Sequence, residues 1–366
     1  MHYFLLRIFT LVSRYLIILN LPRLLAFLIL IINFKKIFLS KKCKVILNTK
    51  ALTTLNELDI IISHDKQNRI MSIDVSLRML KTIFDKFYNI YPKKLNKPSS
   101  MTLNQIEKIH KLSNYSYWEK VQNYREEKKK CIDFHSKFLS ILKFFLNVNH
   151  IFCPNFVYSY IYDLFDAAKK KNIKCIVLMK EAVSPPGHQD YIVKNFYSRT
   201  KFNGSKILFY SNDLKKNYIN VEGVKNNSGV IGTAKSDLIL NNFSQQKELK
   251  YEAALFFSAA IDKMNGIPEI VSKDLDILSK VEQFHLNFIK IANSQPNKSF
   301  LIKMKIEKHK YQFLDPLLKK FDIKLGSNIS LFSENVDTAG LISASKKIFV
   351  FHSTIIAEAL LLNKDV

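Results

Sequence analysis

The chain has 366 residues, a length that suits about two domains, each able to bury its own core. Hydrophobic residues make up 48% and charged residues 24%, and 28 Phe and 16 Tyr stand against only 8 Gly and 9 Pro, which excludes a disordered, collagenous or linker-rich chain. The formal net charge of +25 favours a polyanion partner (a nucleic acid, an anionic membrane face or a phosphorylated substrate), although an AT-rich genome yields the same bias toward Lys, Asn, Ile and Phe.

From Met1 to Lys50 there are nine Lys and Arg and no acidic residue. The apolar run Tyr15 to Phe34 is about the length of a membrane span, but Asn20, Pro22 and Arg23 interrupt it, and no small-residue cleavage site follows. Arg7, Arg14 and Arg23 among Leu, Ile and Phe, then a Lys-rich exit, predict helices lying in the interface of an anionic cytoplasmic leaflet over residues 1–42. The alternatives are a helix packed on the protein itself and a true span.

Lys44 to Leu47 reads as a first strand, and 65–145 as helical with few features, Trp118 and the charge run Glu126 to Lys130 included. The pattern sharpens at Val148: a strand at His150–Cys153, a helix over Phe156–Lys171 and a strand at Ile173–Met179 form a βαβ unit. A polar stretch at Asn241–Glu248 is the best linker. After it, strands at Ala253–Phe257, Phe300–Met304 and Ile348–Phe351 alternate with helices at Leu278–Ala292, Tyr311–Phe321 and Val336–Ser345. Two α/β domains with Rossmann-like sheets are therefore expected, at 43–243 and 250–366, the second short of strands at Val366 and read as incomplete.

Cys43, Cys131, Cys153 and Cys175 form no CxxC pair, so neither a disulfide framework nor a thiolate zinc site is indicated, and a reducing cytosol fits. HExxH, GxxxxGK and GxGxxG are absent. Asp274-Leu-Asp276 copies an Asp-x-Asp metal motif but opens a helix, where Asp is favoured by the helix dipole, so no metal site is assigned. No aromatic RNP-like string or zinc knuckle supports nucleic-acid binding.

The final twenty residues carry the strongest chemical signal. An apolar strand runs into His352-Ser353-Thr354 and directly into a helix holding Glu358. Backbone N–H groups and two hydroxyls at a helix start suit a phosphate, and an acid one turn further in is placed to meet a nucleotide ribose. The plain alternative is a Ser cap on a structural helix, with Glu358 solvated.

The string His-Ser-Thr-x-x-x-Glu-Ala-Leu-x-x-Asn-Lys-x-Val resembles the donor segment of GT-B glycosyltransferases, particularly bacterial surface-polysaccharide biosynthesis proteins, and of the related UDP-GlcNAc 2-epimerases. Asn363 and Asp365 stand where Gly and Pro are usual. Val177-Leu-Met-Lys180-Glu181, with Pro185, Pro186, Gly187 and His188 following, resembles the strand-end segment facing the cleft in those proteins. Gly229-Val-Ile-Gly232-Thr-Ala-Lys235-Ser-Asp237 resembles the closing segment of their first domain, with Ala234 and Lys235 replacing Pro and Arg. The resemblance covers about 148–366. It implies a GT-B fold, a nucleotide-sugar donor held by Ser353, Thr354, Glu358, His352 and Lys303 (with Lys305 as an alternative cation), and Glu181 as catalytic base with His188 as the alternative. It implies no cofactor and no metal.

The expected function is a glycosyltransferase passing sugar to a surface-glycan or lipid-linked acceptor, peripheral on the inner face of the cytoplasmic membrane. The alternatives are a UDP-sugar 2-epimerase and a basic RNA-binding protein without catalysis.

Overall fold

The computed structural model describes residues 2–39, 43–50, 57–67, 69–88, 125–156, 159–179, 201–243, 248–256, 277–304, 314–332, 337–350 and 355–366. The chain forms two compact units, Met1–Thr233 and Ala234–Val366. Each is α/β around one parallel sheet.

The first unit opens with helices α1 (His2–Ile18), α2 (Pro22–Ile32) and α3 (Phe34–Leu39) before strand β1 (Lys44–Lys50). Pro22 begins α2, where its missing N–H costs nothing and its fixed φ suits a helix. Ile17, Leu25, Ala26 and Ile29 join the main core of the unit, so α1 and α2 are packed on the protein by one face. No helix among the described residues is long and apolar enough to cross a membrane.

Helix α4 (Glu57–Ser63), β2 (Ile70–Ser76) and α5 (Leu77–Phe87) come next, then α6 (Arg125–Leu146), β3 (Val148–Cys153), α7 (Ser159–Lys170), β4 (Lys174–Leu178), β5 (Lys206–Phe209), α8 (Asn212–Tyr218) and β6 (Ser228–Val230). The sheet runs β2-β1-β3-β4-β5-β6, parallel throughout. β2 corrects the featureless helical reading of 65–145. Met71, Ile73 and Val75 alternate with Ser72, Asp74 and Ser76, a period of two confined to seven residues and hidden by the helical spacing around it. Side chains alternate across the sheet as well. Val45, Leu47, Ile151, Cys153, Cys175 and Val177 face α2, α5, α6 and α7, whereas Ile46, Phe152, Ile176 and Leu178 face α4.

In α6 the buried residues Cys131, Phe134, His135, Phe138, Leu139, Leu142 and Leu146 recur at intervals of three and four, the stripe a core-facing helix requires. Asn147 and Asn172 follow α6 and α7 with φ of 52° and 51°. In a chain with 8 Gly, Asn supplies the left-handed residue that ends a helix.

The second unit holds α9 (Ala234–Phe243), β7 (Tyr251–Phe256), α10 (Ile277–Asn293), β8 (Phe300–Lys303), α11 (Leu314–Lys320), β9 (Ile329–Phe332), α12 (Thr338–Ser343), β10 (Ser345–Val350) and α13 (Ile355–Leu361). Its sheet runs β10-β7-β8-β9, again parallel. Residues 234–243, which the sequence reading places within the first domain, form α9, which packs on α12 and α13 and groups with the second unit. β9 was not anticipated, being a four-residue strand in a polar stretch.

His135 is fully buried in α6, with neither ring nitrogen bonded among the described residues, and burial pushes its pKa from 6.5 down to about 3. Between those values the native state binds fewer protons at this site than the unfolded chain, so stability falls as pH drops through that window, by at most about 1.4 kcal/mol per pH unit. Replacing His135 by Leu is expected to raise stability at pH 7 by about 1–2 kcal/mol, since a buried donor without an acceptor is removed. It should also flatten the acid-side loss in urea denaturation. A variant as acid-sensitive as the parent would refute this account.

Candidate functional site

In the second unit the strand order reverses between β7 and β10, because β8 lies on one side of β7 and β10 on the other. In open parallel sheets ligands bind outside the carboxyl ends of the strands at such a point. Val350 and Lys303 both pair with Phe256, so three strands end level with one another. Lys303 therefore lies two strand spacings, about 10 Å, from the end of β10. His352, Ser353 and Thr354 follow that end and lie outside the described residues, as does Lys305.

Side-chain alternation places Lys303 on the sheet face of Leu301, Phe256 and Ile348, the face covered by α12 and α13. The ammonium is buried, donates to the Met304 carbonyl oxygen at 2.5 Å and pairs with no carboxylate among the described residues. Burial lowers its pKa, so an anion arriving there would be welcomed.

Glu358 lies on α13, four residues past Thr354 and on that same side of the sheet, next to Ala359, which is fully buried against it. It is not a solvated helix residue: only 6% of its surface is exposed. Its Oε1 accepts a hydrogen bond from Lys235 Nζ, in the first turn of α9, and its Oε2 is buried without a partner among the described residues. Lys235 thus supplies a cation to Glu358 from a separate helix. Asn363, standing where Gly was usual, has φ 52° and ends α13 with Lys364 N–H bonded to the Ala359 carbonyl at 3.0 Å. The turn keeps the shape that Gly would give it.

In the first unit the order reverses between β1 and β3. Near the carboxyl ends of β1 and β2, Lys50 Nζ contacts Asp59 at 2.8 Å and Asp74 at 3.1 Å, and Asn48 Nδ2 bonds both acids at 3.3 Å. Burial penalises the Lys50 ammonium, but these bonds outweigh it and hold its pKa above the ordinary value. Glu57, at the start of α4, accepts from Tyr210 and Thr233, each at 3.2 Å. This polar cluster was missed from the sequence. One Lys among 56 basic residues carries no signal, and its partners come from α4 and β2. Glu181 and His188 lie outside the described residues, as do Trp118, Asp274 and Asp276.

No family model matches the sequence, and no curated protein matches it. The fold is similar to that of the UDP-GlcNAc 2-epimerase of Neisseria meningitidis solved bound to UDP-GlcNAc, at 12% identity and a TM-score of 0.50 over 87% of this chain and 80% of that one. The UDP-GlcNAc 2-epimerase of Methanocaldococcus jannaschii gives 14% identity and 0.49 over 88% and 82%. A glycosyltransferase from Rickettsia africae ESF-5 gives 13% and 0.42 over 88% and 78%. The fold is thus the two-domain, Rossmann-like GT-B arrangement, as expected from the donor-segment resemblance.

Replacing Lys50 by Met strands two carboxylates of which Asp59 is largely buried. With Asp74 about one-third exposed, a loss of about 2–4 kcal/mol is expected in chemical denaturation, with partial recovery when Asp59 is also changed to Asn. Unchanged stability of Lys50→Met would show that the cluster is not a coupled network.

Proposed function

We propose that this chain is a nucleotide-sugar enzyme, with the donor bound to the second unit at the carboxyl ends of β7, β8 and β10. The observation that carries this reading is the Oε2 of Glu358, buried and unpartnered among the described residues, on the same sheet face as the ammonium of Lys303. Glu358 would accept hydrogen bonds from the nucleotide ribose, while Lys303 and the hydroxyls of Ser353 and Thr354 would meet the diphosphate. His352 would complete the donor contacts.

For the finer activity, we propose glycosyl transfer to a surface-glycan or lipid-linked acceptor in bacterial polysaccharide biosynthesis. A base, Glu181 or alternatively His188, would take the acceptor hydroxyl proton as its oxygen bonds the anomeric carbon. The bond from that carbon to the diphosphate oxygen breaks, and Lys303 would offset the charge that develops on the departing nucleoside diphosphate. This chemistry needs neither metal nor cofactor. Peripheral attachment to the inner face of the cytoplasmic membrane belongs to the same reading, supported by the basic, apolar amino terminus. Epimerisation of a UDP-sugar at C2 is the second reading, supported by the fold shared with the Neisseria epimerase. It uses the same donor site without an acceptor, and incubation with UDP-GlcNAc followed by product analysis separates the two.

A thermal-shift panel of nucleoside diphosphates and sugar nucleotides tests the donor site. One nucleotide should stabilise the parent, and Ser353→Ala, Lys303→Ala and Glu358→Leu should each lose at least about tenfold in affinity, as expected when a charged or buried hydrogen bond is removed. Without nucleotide, Glu358→Leu should melt at or above the parent, by up to about 1–2 kcal/mol, because a buried acceptor without a donor disappears. A Glu358→Leu variant that unfolds, or that binds nucleotide like the parent, would assign Glu358 a purely structural role.

A further inference from the structure

Among the described residues, 21 large apolar side chains are exposed, and 13 of them lie on α1 or the turn after it, on α2, at the start of α3 and at the end of α6. Such concentration is unusual for a protein surface that meets only water. On α1, Ile8, Leu11, Val12, Tyr15, Ile18 and Leu19 recur at intervals of three and four along one face, opposite Phe9, Leu16 and Ile17, which pack on the core. On α2, Leu24, Phe27 and Ile31 do the same opposite Leu25, Ala26 and Ile29. Over their described side chains, both helices are therefore apolar on two faces, one of them packed on the core and the other exposed.

The exposed face extends beyond the amino-terminal helices. Phe27 meets Phe145 of α6 edge-on, with ring centroids 5.6 Å apart, and Phe145 meets Phe144 at 4.9 Å. Phe144 is 79% exposed. Lys143, beside this pair, donates to the Lys171 carbonyl oxygen at 2.7 Å, which brings the end of α7 with Lys169, Lys170 and Lys171 to the same corner.

Charge identifies the occupant. Arg14, Arg23 and Lys35 are exposed on these helices, and the first acidic residue of the chain is Glu57. A second copy seated face to face would oppose these cations with cations. A bilayer carrying anionic headgroups supplies both the apolar phase and the counter-charge.

We infer that α1, α2 and the Phe144–Phe145 corner of α6 form a single docking face for an anionic lipid bilayer, the apolar stripes entering the acyl boundary and Arg14 and Arg23 meeting lipid phosphates. This deepens the membrane placement proposed above and rests on that placement, but not on the nucleotide-sugar chemistry.

Flotation of the full chain with vesicles tests it. Vesicles of phosphatidylcholine alone should carry little protein, and vesicles with about one-third phosphatidylglycerol should carry most of it, in a salt-sensitive way. Arg14→Ala with Arg23→Ala should weaken binding about 25-fold, at about fivefold per charge. Ile31→Glu with Phe144→Glu, both at exposed positions, should weaken it at least about tenfold without lowering the melting temperature. Equal binding to neutral vesicles, no binding to anionic ones, or a solution dimer that the Glu pair dissociates would overturn the inference. Nucleotide-induced thermal shifts on the same preparations show whether the donor site stands when the membrane face fails.

Discussion

Leaving a buried oxygen acceptor without a donor costs about 1–3 kcal/mol, and among the described residues the second unit carries such an oxygen at Glu358. The arrangement is held from several directions. Ala359 fixes α13 on the sheet, Asn363 ends the helix in a left-handed turn, and Lys235 of α9 takes the other carboxylate oxygen. Each of these contacts orients the acid, and none satisfies Oε2. A cost retained in a well-packed place is the kind that a ligand repays, and the strand order puts Glu358 beside the one point of this sheet where neighbouring connections diverge.

The first unit treats its buried charges differently. Lys50, Asp59, Asp74 and Asn48 satisfy one another, so the carboxyl ends of β1 and β2 are tied together rather than left open. The ties also secure α4, which covers the second sheet face through Leu58. The amino-terminal helices add a different economy: one face completes the core, while the opposite face stays apolar and edged by cations. A helix serving only the core would have a polar outer face.

The fold was legible wherever one period dominated a long enough segment. The βαβ pattern from Val148 to Met179 and the alternation after Tyr251 are visible because apolar runs of Ile, Val and Phe are separated by helices of ordinary length. β2 and β9 escaped because seven and four residues give little periodicity. Glu358 could be singled out from sequence since it lies in a local motif, whereas its partner Lys235 sits 123 residues away and only packing of α9 on α13 brings them together. Phe144 and Phe145 fall off the buried stripe of α6, between the buried Leu142 and Leu146, and so lie on its outward side.

The most direct measurement is a crystal structure of the chain with UDP. A ribose hydroxyl is expected within hydrogen-bonding distance of Glu358 Oε2 and a phosphate oxygen near the Lys303 ammonium, at the carboxyl ends of β7, β8 and β10. UDP bound elsewhere, or Oε2 still unpartnered beside bound nucleotide, would contradict this.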